Sequence, residues 1–213
     1  MQLLQSVFQY IRANSSDFAG YVQTHLELSG FSLAIALAVC FPLGILASRN
    51  RLVSLYSLNV VGIARAVPSV ALLFVMYPYL GLGFRPALVA LTILACPPIL
   101  INTAVGFQNV DAAIREAAYG MGMSTLQVLR RIEFPLALPV VIAGLRIATV
   151  EVIASATLAT FIGAGGLGDP INQGLNGGGN TVILAGAIPV ALLTLTAEVI
   201  LGSAERFSRR ATG

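Results

Sequence analysis

Residues 26–48 read LELSGFSLAIALAVCFPLGILAS, and Arg49 follows at once. Glu27 is the only charged side chain in that run. A helix crossing the hydrocarbon core of a bilayer needs about 20 mainly apolar residues, so the stretch reads as a membrane span. Four further stretches pass the same test: residues 53–77, 86–107, 137–160 and 181–204. The second of these carries Arg65 and Pro68 and reads either as one broken helix or as two shorter segments. The expected fold class is therefore an all-α membrane protein, a polytopic helical bundle of about five transmembrane helices.

The composition agrees with that pattern. Of 213 residues, 57% are hydrophobic and only 10% charged, and the mean hydropathy is +0.87. A soluble domain carries about a quarter charged residues, so this chain cannot clothe a core of its size in a water-facing shell. Disordered, collagen-like and disulfide-rich secreted classes are excluded by the same numbers. Nucleic-acid binding is not supported, because the net charge is only +3 and the basic residues follow the membrane faces.

Every one of the twelve basic residues is an Arg. The five spans leave two alternating sets of loops. One set holds Arg49, Arg51, Arg115, Arg130, Arg131, Arg206, Arg209 and Arg210; the other holds only Arg12 and Arg85. Positive residues collect on the cytoplasmic side, so the N-terminus is expected outside and the C-terminus inside. Before the first span, Leu3, Leu4, Val7, Phe8 and Ile11 recur at helical spacing among Gln2, Gln5, Gln9 and Arg12. That is the pattern of an interfacial amphipathic helix too short to span, and it lacks the layout of a cleavable signal peptide.

Two loops exceed a minimal connection. In the one expected inside, about 108–136, Asp111 can cap a helix through Ala112–Tyr119. Gly120 and Gly122 then break it, and Ser124-Thr125-Leu126-Gln127 has the spacing of a capping box for a second short helix ending before Pro135. The one expected outside, about 161–180, is rich in Gly. It has no Gly-Lys-Ser/Thr and so no phosphate-loop signature. One His (His25), no Lys, and two cysteines (Cys40 and Cys96) inside apolar runs leave no acid/base or nucleophilic set and no metal site, so no cofactor is expected.

The inner loop becomes specific when read whole. Glu116-Ala117-Ala118-Tyr119-Gly120-Met121-Gly122 is followed after nine residues by Ile132-Glu133-Phe134-Pro135. This resembles the EAA signature of the permease subunits of bacterial ABC importers: Glu-Ala-Ala, three residues, Gly, nine residues, Ile, one residue, Leu-Pro. Phe134 stands where the pattern has Leu. The resemblance runs from about His25 to Arg206. Within it, Pro68-Ser69-Val70-Ala71-Leu72-Leu73, Gly144-Leu145-Arg146 and Phe161-Ile162-Gly163-Ala164-Gly165-Gly166-Leu167-Gly168 are similar to the osmoprotectant branch, which carries glycine betaine, carnitine, choline and related compounds. Before Pro68 that branch has Gln-Thr where this chain has Arg65-Ala66.

The resemblance implies a type I ABC importer permease fold in the bacterial plasma (inner) membrane. It divides the chain into an N-terminal amphipathic segment (1–24), a permease domain (25–206) and a cytoplasmic tail (207–213). It implies an ABC ATP-binding subunit that hydrolyses ATP, an extracellular or periplasmic substrate-binding protein, and a second copy or a similar permease. In such importers the EAA loop is a coupling helix seated in the ATPase. That role would fall to Glu116, Ala117, Ala118, Gly122, Ile132 and Pro135, with Gly122 at the turn and Glu116 free for a polar contact. Importers of an amino acid or an organic sulfonate, and more distantly a secondary transporter or channel, are the alternatives.

Charges within spans are costly in hydrocarbon unless paired or facing water. Arg65, Arg146, Glu151 and Glu198 are therefore candidates either for a solute pathway or for polar clamps between helices. Arg146 and Glu151 are five residues apart, so they lie on different sides of one helix and each is expected to look to another. There is no Trp, and the Phe and Tyr residues do not cluster along the sequence, so an aromatic cage for a quaternary ammonium is expected on a binding protein instead.

Overall fold

The computed structural model describes residues 2–212, with the side chains of Gln2, Leu58, Ala64, Arg65, Ala211 and Thr212 outside the description. The described chain is helical throughout: α1 (Gln2–Ala13), α2 (Ser15–Arg49), α3 (Arg51–Ala66), α4 (Ser69–Leu80), α5 (Phe84–Gln108), α6 (Ala112–Gly120), α7 (Thr125–Val128), α8 (Phe134–Ala156), α9 (Gly168–Gln173) and α10 (Asn180–Thr212). Among the described residues, four helical stretches are long and apolar enough to cross a membrane: Ser15–Arg49, Phe84–Gln108, Thr125–Ile162 and Asn180–Arg210.

The stretch expected as a second span is two shorter apolar helices, α3 and α4. The break falls at 67–68 because Pro68 turns its predecessor away from helical backbone. Pro68 itself is extended (φ −57°, ψ 138°) and starts α4. The amphipathic helix expected at the N-terminus is α1, with Val7 buried and Leu3, Leu4 and Phe8 exposed. Helix α2 begins at Ser15, well before the apolar run at 26. Asp17 in its first turn and Arg49 in its last both oppose the helix dipole.

The chain packs as two compact units, one of residues 1–35, 67–95 and 149–197, the other of 36–66, 96–148 and 198–213. In the first, the Gly-rich stretch is folded against α2. The His25 ring is buried, with Nε2 3.1 Å from the carbonyl oxygen of Ile153. The Gly83 N–H donates to Ile162 O (2.7 Å), and the Thr160 hydroxyl donates to the Asp169 carboxylate. Gly168 admits no side chain: a β-carbon there would lie 2.0 Å from the carbonyl oxygen of Thr157. The second unit is built around Phe107, Ala137 and Val141, against which Phe41, Ile45 and Leu129 pack. Phe41 meets Phe107 (6.3 Å, 66°) and Phe134 (6.2 Å, 88°) edge to face, a favoured arrangement of ring quadrupoles. Phe134, the departure from the family pattern, is thus matched by Phe41.

One local expectation is corrected. The second helix of the inner loop does not stop before Pro135. It runs through a π-helical turn, Leu129–Glu133, directly into α8. Proline has no N–H, so the carbonyl four residues back loses its donor. The chain accommodates this with one wider turn, in which the Phe134 N–H reaches back to Leu129 O.

Candidate functional site

The segment from Asp111 to Pro135 is held in shape by its own side chains. Asp111 accepts from the Ala113 N–H (2.8 Å) and caps α6. Ser124 and Gln127 form the reciprocal capping box at α7: the Ser124 N–H donates to Gln127 Oε1 (2.8 Å), and the Gln127 N–H donates to Ser124 Oγ (3.4 Å). Between them the chain makes a Schellman turn. The Met123 N–H bonds Ala118 O (3.2 Å) and the Gly122 N–H bonds Tyr119 O (2.9 Å), the two bonds that define the motif. Gly122 occupies the left-handed position at φ +83°, where a β-carbon is strained.

The sequence-derived residues divide by exposure. Glu116, Ala117 and Gly122 are exposed, Ala118 is buried, and Ile132 and Pro135 are half-buried. Ile114, Tyr119, Met121 and Leu126 are exposed apolar side chains on the same segment. Among the described residues, and apart from its two chain neighbours, nothing lies within 4 Å of a β-carbon built on Gly122. The outer side of the turn is therefore largely apolar, carries the Glu116 carboxylate, and has its conformation set by hydrogen bonds within the segment.

Behind this surface lies a cluster that the sequence reading passed over. Glu133, buried in the π-helical turn, receives Arg49 from the end of α2. It also receives Arg115 from α6, whose Nε is 3.3 Å from its other oxygen, an electrostatic contact without hydrogen-bond geometry. Nη2 of Arg115 donates to the carbonyls of Phe107 (3.1 Å) and Val110 (2.7 Å) at the end of α5. A cavity of about 380 Å³ lined by Ser48, Arg49, Phe107, Arg115, Tyr119 and Glu133 opens beside it. The signal available was Glu133 itself, an acid set between Ile132 and Phe134.

Two of the four embedded charges are brought together. Arg146 on α8 reaches across to α10, with Nη1 3.1 Å from Glu198 and Nη2 3.4 Å from Glu205, and Arg209 adds a second contact to Glu205 at 2.8 Å. Glu198 and Glu205 are seven residues apart, two turns of one helix face. Gly202 between them leaves room, since a β-carbon there would stand 3.3 Å from Arg146 Nη1. Glu205 was missed, although its i, i+7 spacing from Glu198 was readable. Glu151 is half-buried in α8 and belongs to the other compact unit. The Arg65 side chain lies outside the described residues. Cys40 and Cys96 face one another closely enough for their thiols to hydrogen-bond.

Residues 40–210 match the family described as binding-protein-dependent transport system inner membrane component. The chain is 41% identical over 202 residues to the carnitine transport permease protein OpuCB of Listeria monocytogenes, covering 95% of this chain and 93% of that one. It is 36% identical over 203 residues to the choline transport system permease protein OpuBB of Bacillus subtilis, covering 95% and 94%. Among solved structures, its fold is similar to that of the MetNI methionine ABC transporter in inward facing conformations. The TM-score is 0.78 at 24% identity, over 90% of this chain and 95% of that one; at this identity the likeness concerns the fold.

Proposed function

The chain belongs to the binding-protein-dependent transport system inner membrane component family, and from that premise we propose that it is the permease subunit of an ABC importer for osmoprotectants of the trimethylammonium class. Glycine betaine, carnitine and choline are the members intended. The single observation that carries the machine part of this reading is the pre-shaped turn at Gly122, flanked by exposed apolar and acidic side chains and with open space around Gly122 itself. The relatives' names support the substrate class, since carnitine and choline permeases align over more than nine-tenths of both lengths.

In this reading α6 and the turn to α7 seat in an ATP-binding subunit, which supplies the hydrolysis. A separate binding protein delivers the solute from outside, and a second copy or a similar permease completes the pathway. Glu116 makes a polar contact with the ATPase, Ala117 lets the surfaces approach, and Ala118, Ile132 and Pro135 fix α6 and α7 against the unit that carries them. Arg146 with Glu198 clamps α8 to α10, while Glu151 belongs to the pathway. The N-terminus lies outside and the C-terminus in the cytoplasm.

Two measurements test this. Purification from native membranes should bring down an ATP-binding subunit. Proteoliposomes of the purified complex, supplied with the binding protein, should take up labelled carnitine, choline or betaine, with methionine and taurine failing to compete. Uptake of an amino acid or a sulfonate in preference to all three trimethylammonium compounds would overturn the substrate class. For orientation, cysteines replace Gly177 and Met123 in a chain with Cys40 and Cys96 changed to Ala. Gly177→Cys should react with an impermeant reagent on intact cells, and Met123→Cys only after permeabilisation. Reaction of both from one side would overturn the topology.

A further inference from the structure

The cluster at Glu133 lies behind the turn proposed to dock, and four elements converge on it. Arg49 is the last residue of α2, and Arg115 lies one residue before Glu116 on α6. The same Arg115 side chain holds the end of α5 through Phe107 O and Val110 O, and Glu133 sits at the entry to α8. A buried carboxylate must be paired to remain ionised, and Glu133 is 95% buried as a side chain while both arginines keep about a third of theirs exposed. The cavity beside the cluster means that these elements are joined here by charge more than by dense packing.

We propose that Glu133, Arg49 and Arg115 are positioning residues for energy coupling: they make the docking helix α6 move as one body with the C-terminal end of α2 and the start of α8. The inference rests on the importer reading above. Three features favour it over a role in stability alone. First, a buried carboxylate with its ion partners is often no more stabilising than well-packed apolar side chains of the same volume, so stability alone gives no reason for the cluster. Second, the triad is placed by the π-helical turn. The extra residue per turn puts Glu133 inside while Arg130 and Arg131 of the same turn remain exposed, and wide turns of this kind recur at functional positions. Third, the two guanidiniums come from different elements and share one carboxylate, so displacement of α6 alone must break a charged contact, whereas joint displacement of α2, the end of α5, α6 and α8 breaks none. Force applied at the Gly122 turn is thereby delivered to α2 and α8 rather than dissipated by sliding of α6.

The test uses the complete complex in proteoliposomes and reads three quantities on each preparation: ATPase subunit retained per permease, ATP hydrolysed, and solute taken up. Glu133→Gln keeps the shape but removes the charge. The expected result is normal ATPase retention, hydrolysis within about twofold of wild type, and uptake per ATP lower by about tenfold, the range of an ordinary coupling free energy. Because Glu133→Gln leaves two arginines without their carboxylate and can lower the yield, Arg49→Gln is measured alongside it, where Arg115 still neutralises Glu133. Its uptake per ATP should also fall, and Arg49→Lys should restore a substantial part. Unchanged uptake per ATP in Arg49→Gln, or losses of yield, hydrolysis and uptake in the same proportion, would assign the cluster to stability and overturn the proposal. Failure of the importer reading shows separately: the wild-type preparation itself would then retain no ATPase, and the positioning role would fall with it.

Discussion

Gly122→Asp is expected to insert and fold like the wild type while uptake falls by about a hundredfold. The structural basis is that Gly122 has two properties seldom combined. It is the left-handed residue of the Schellman turn, at φ +83°, and a β-carbon on it meets nothing within 4 Å. The substitution therefore disturbs no packing inside the permease. A non-glycine residue in left-handed backbone costs about 1–2 kcal/mol. Burying the new carboxylate against a partner without a matching cation costs about 1–3 kcal/mol more. The backbone cost is borne by the free permease as well, so the carboxylate sets the loss of docking; its upper end, about 3 kcal/mol, corresponds to roughly a hundredfold in binding. The amount of permease in the membrane, ATPase copurification and uptake should be measured on one preparation. Wild-type ATPase retention and wild-type uptake together would remove the docking role from the turn. Gly122→Ala, which carries the backbone cost without the charge, should fall between the two.

Arg146→Ala should act at a different stage, lowering the quantity of folded permease. Its guanidinium serves two carboxylates on α10, Glu198 and Glu205. Glu205 keeps Arg209, but Glu198 loses the ion partner that the structure gives it. Removing one partner of a fully buried ion pair costs about 3–5 kcal/mol. Arg146 is 30% exposed and Glu198 45% exposed, so screening reduces this to about 2 kcal/mol, enough to cut the folded fraction of a marginal membrane protein severalfold. The diagnostic is the double substitution. Arg146→Met with Glu198→Gln removes both charges of that pair and should recover much of the yield, because the penalty lies in the unpaired carboxylate and not in the loss of the pair. Thermal melting and monodisperse yield in detergent read this directly. A double variant no better than Arg146→Ala would show that Glu198 is not the group left stranded.

The fold was legible where one physical requirement dominated. Apolar length in a bilayer leaves a helix as the only choice, so the stretches beginning at 26, 86, 137 and 181 fall within the four long helical stretches. Pro68 announced the break between α3 and α4, since proline constrains its predecessor whatever surrounds it. Asp111 and the Ser124–Gln127 box were readable for the same reason: a cap satisfies N–H groups within three residues of itself, and no distant part of the chain is needed. The start of α2 at Ser15 was not legible, because a helix outlasts its apolar stretch when its polar first turns are held by the protein. The π-helical turn was also hidden. Pro135 signals a missing donor, and the sequence leaves open whether the helix ends or widens.

The sequence by itself determined the helical membrane class, four of the five expected spans, the asymmetry of Arg between loops and the spacing from Glu116 to Pro135, because each is a local property of hydrophobic length, charge count or turn chemistry. Tertiary structure alone decided which charges meet. Arg146 found Glu198 and Glu205, and Arg49 and Arg115 found Glu133 across 84 and 18 residues of chain. The cost of leaving a charge unpaired in a low-dielectric interior dictates that each must have a partner. Which partner it takes depends on how the helices pack, and that is a property of the whole chain.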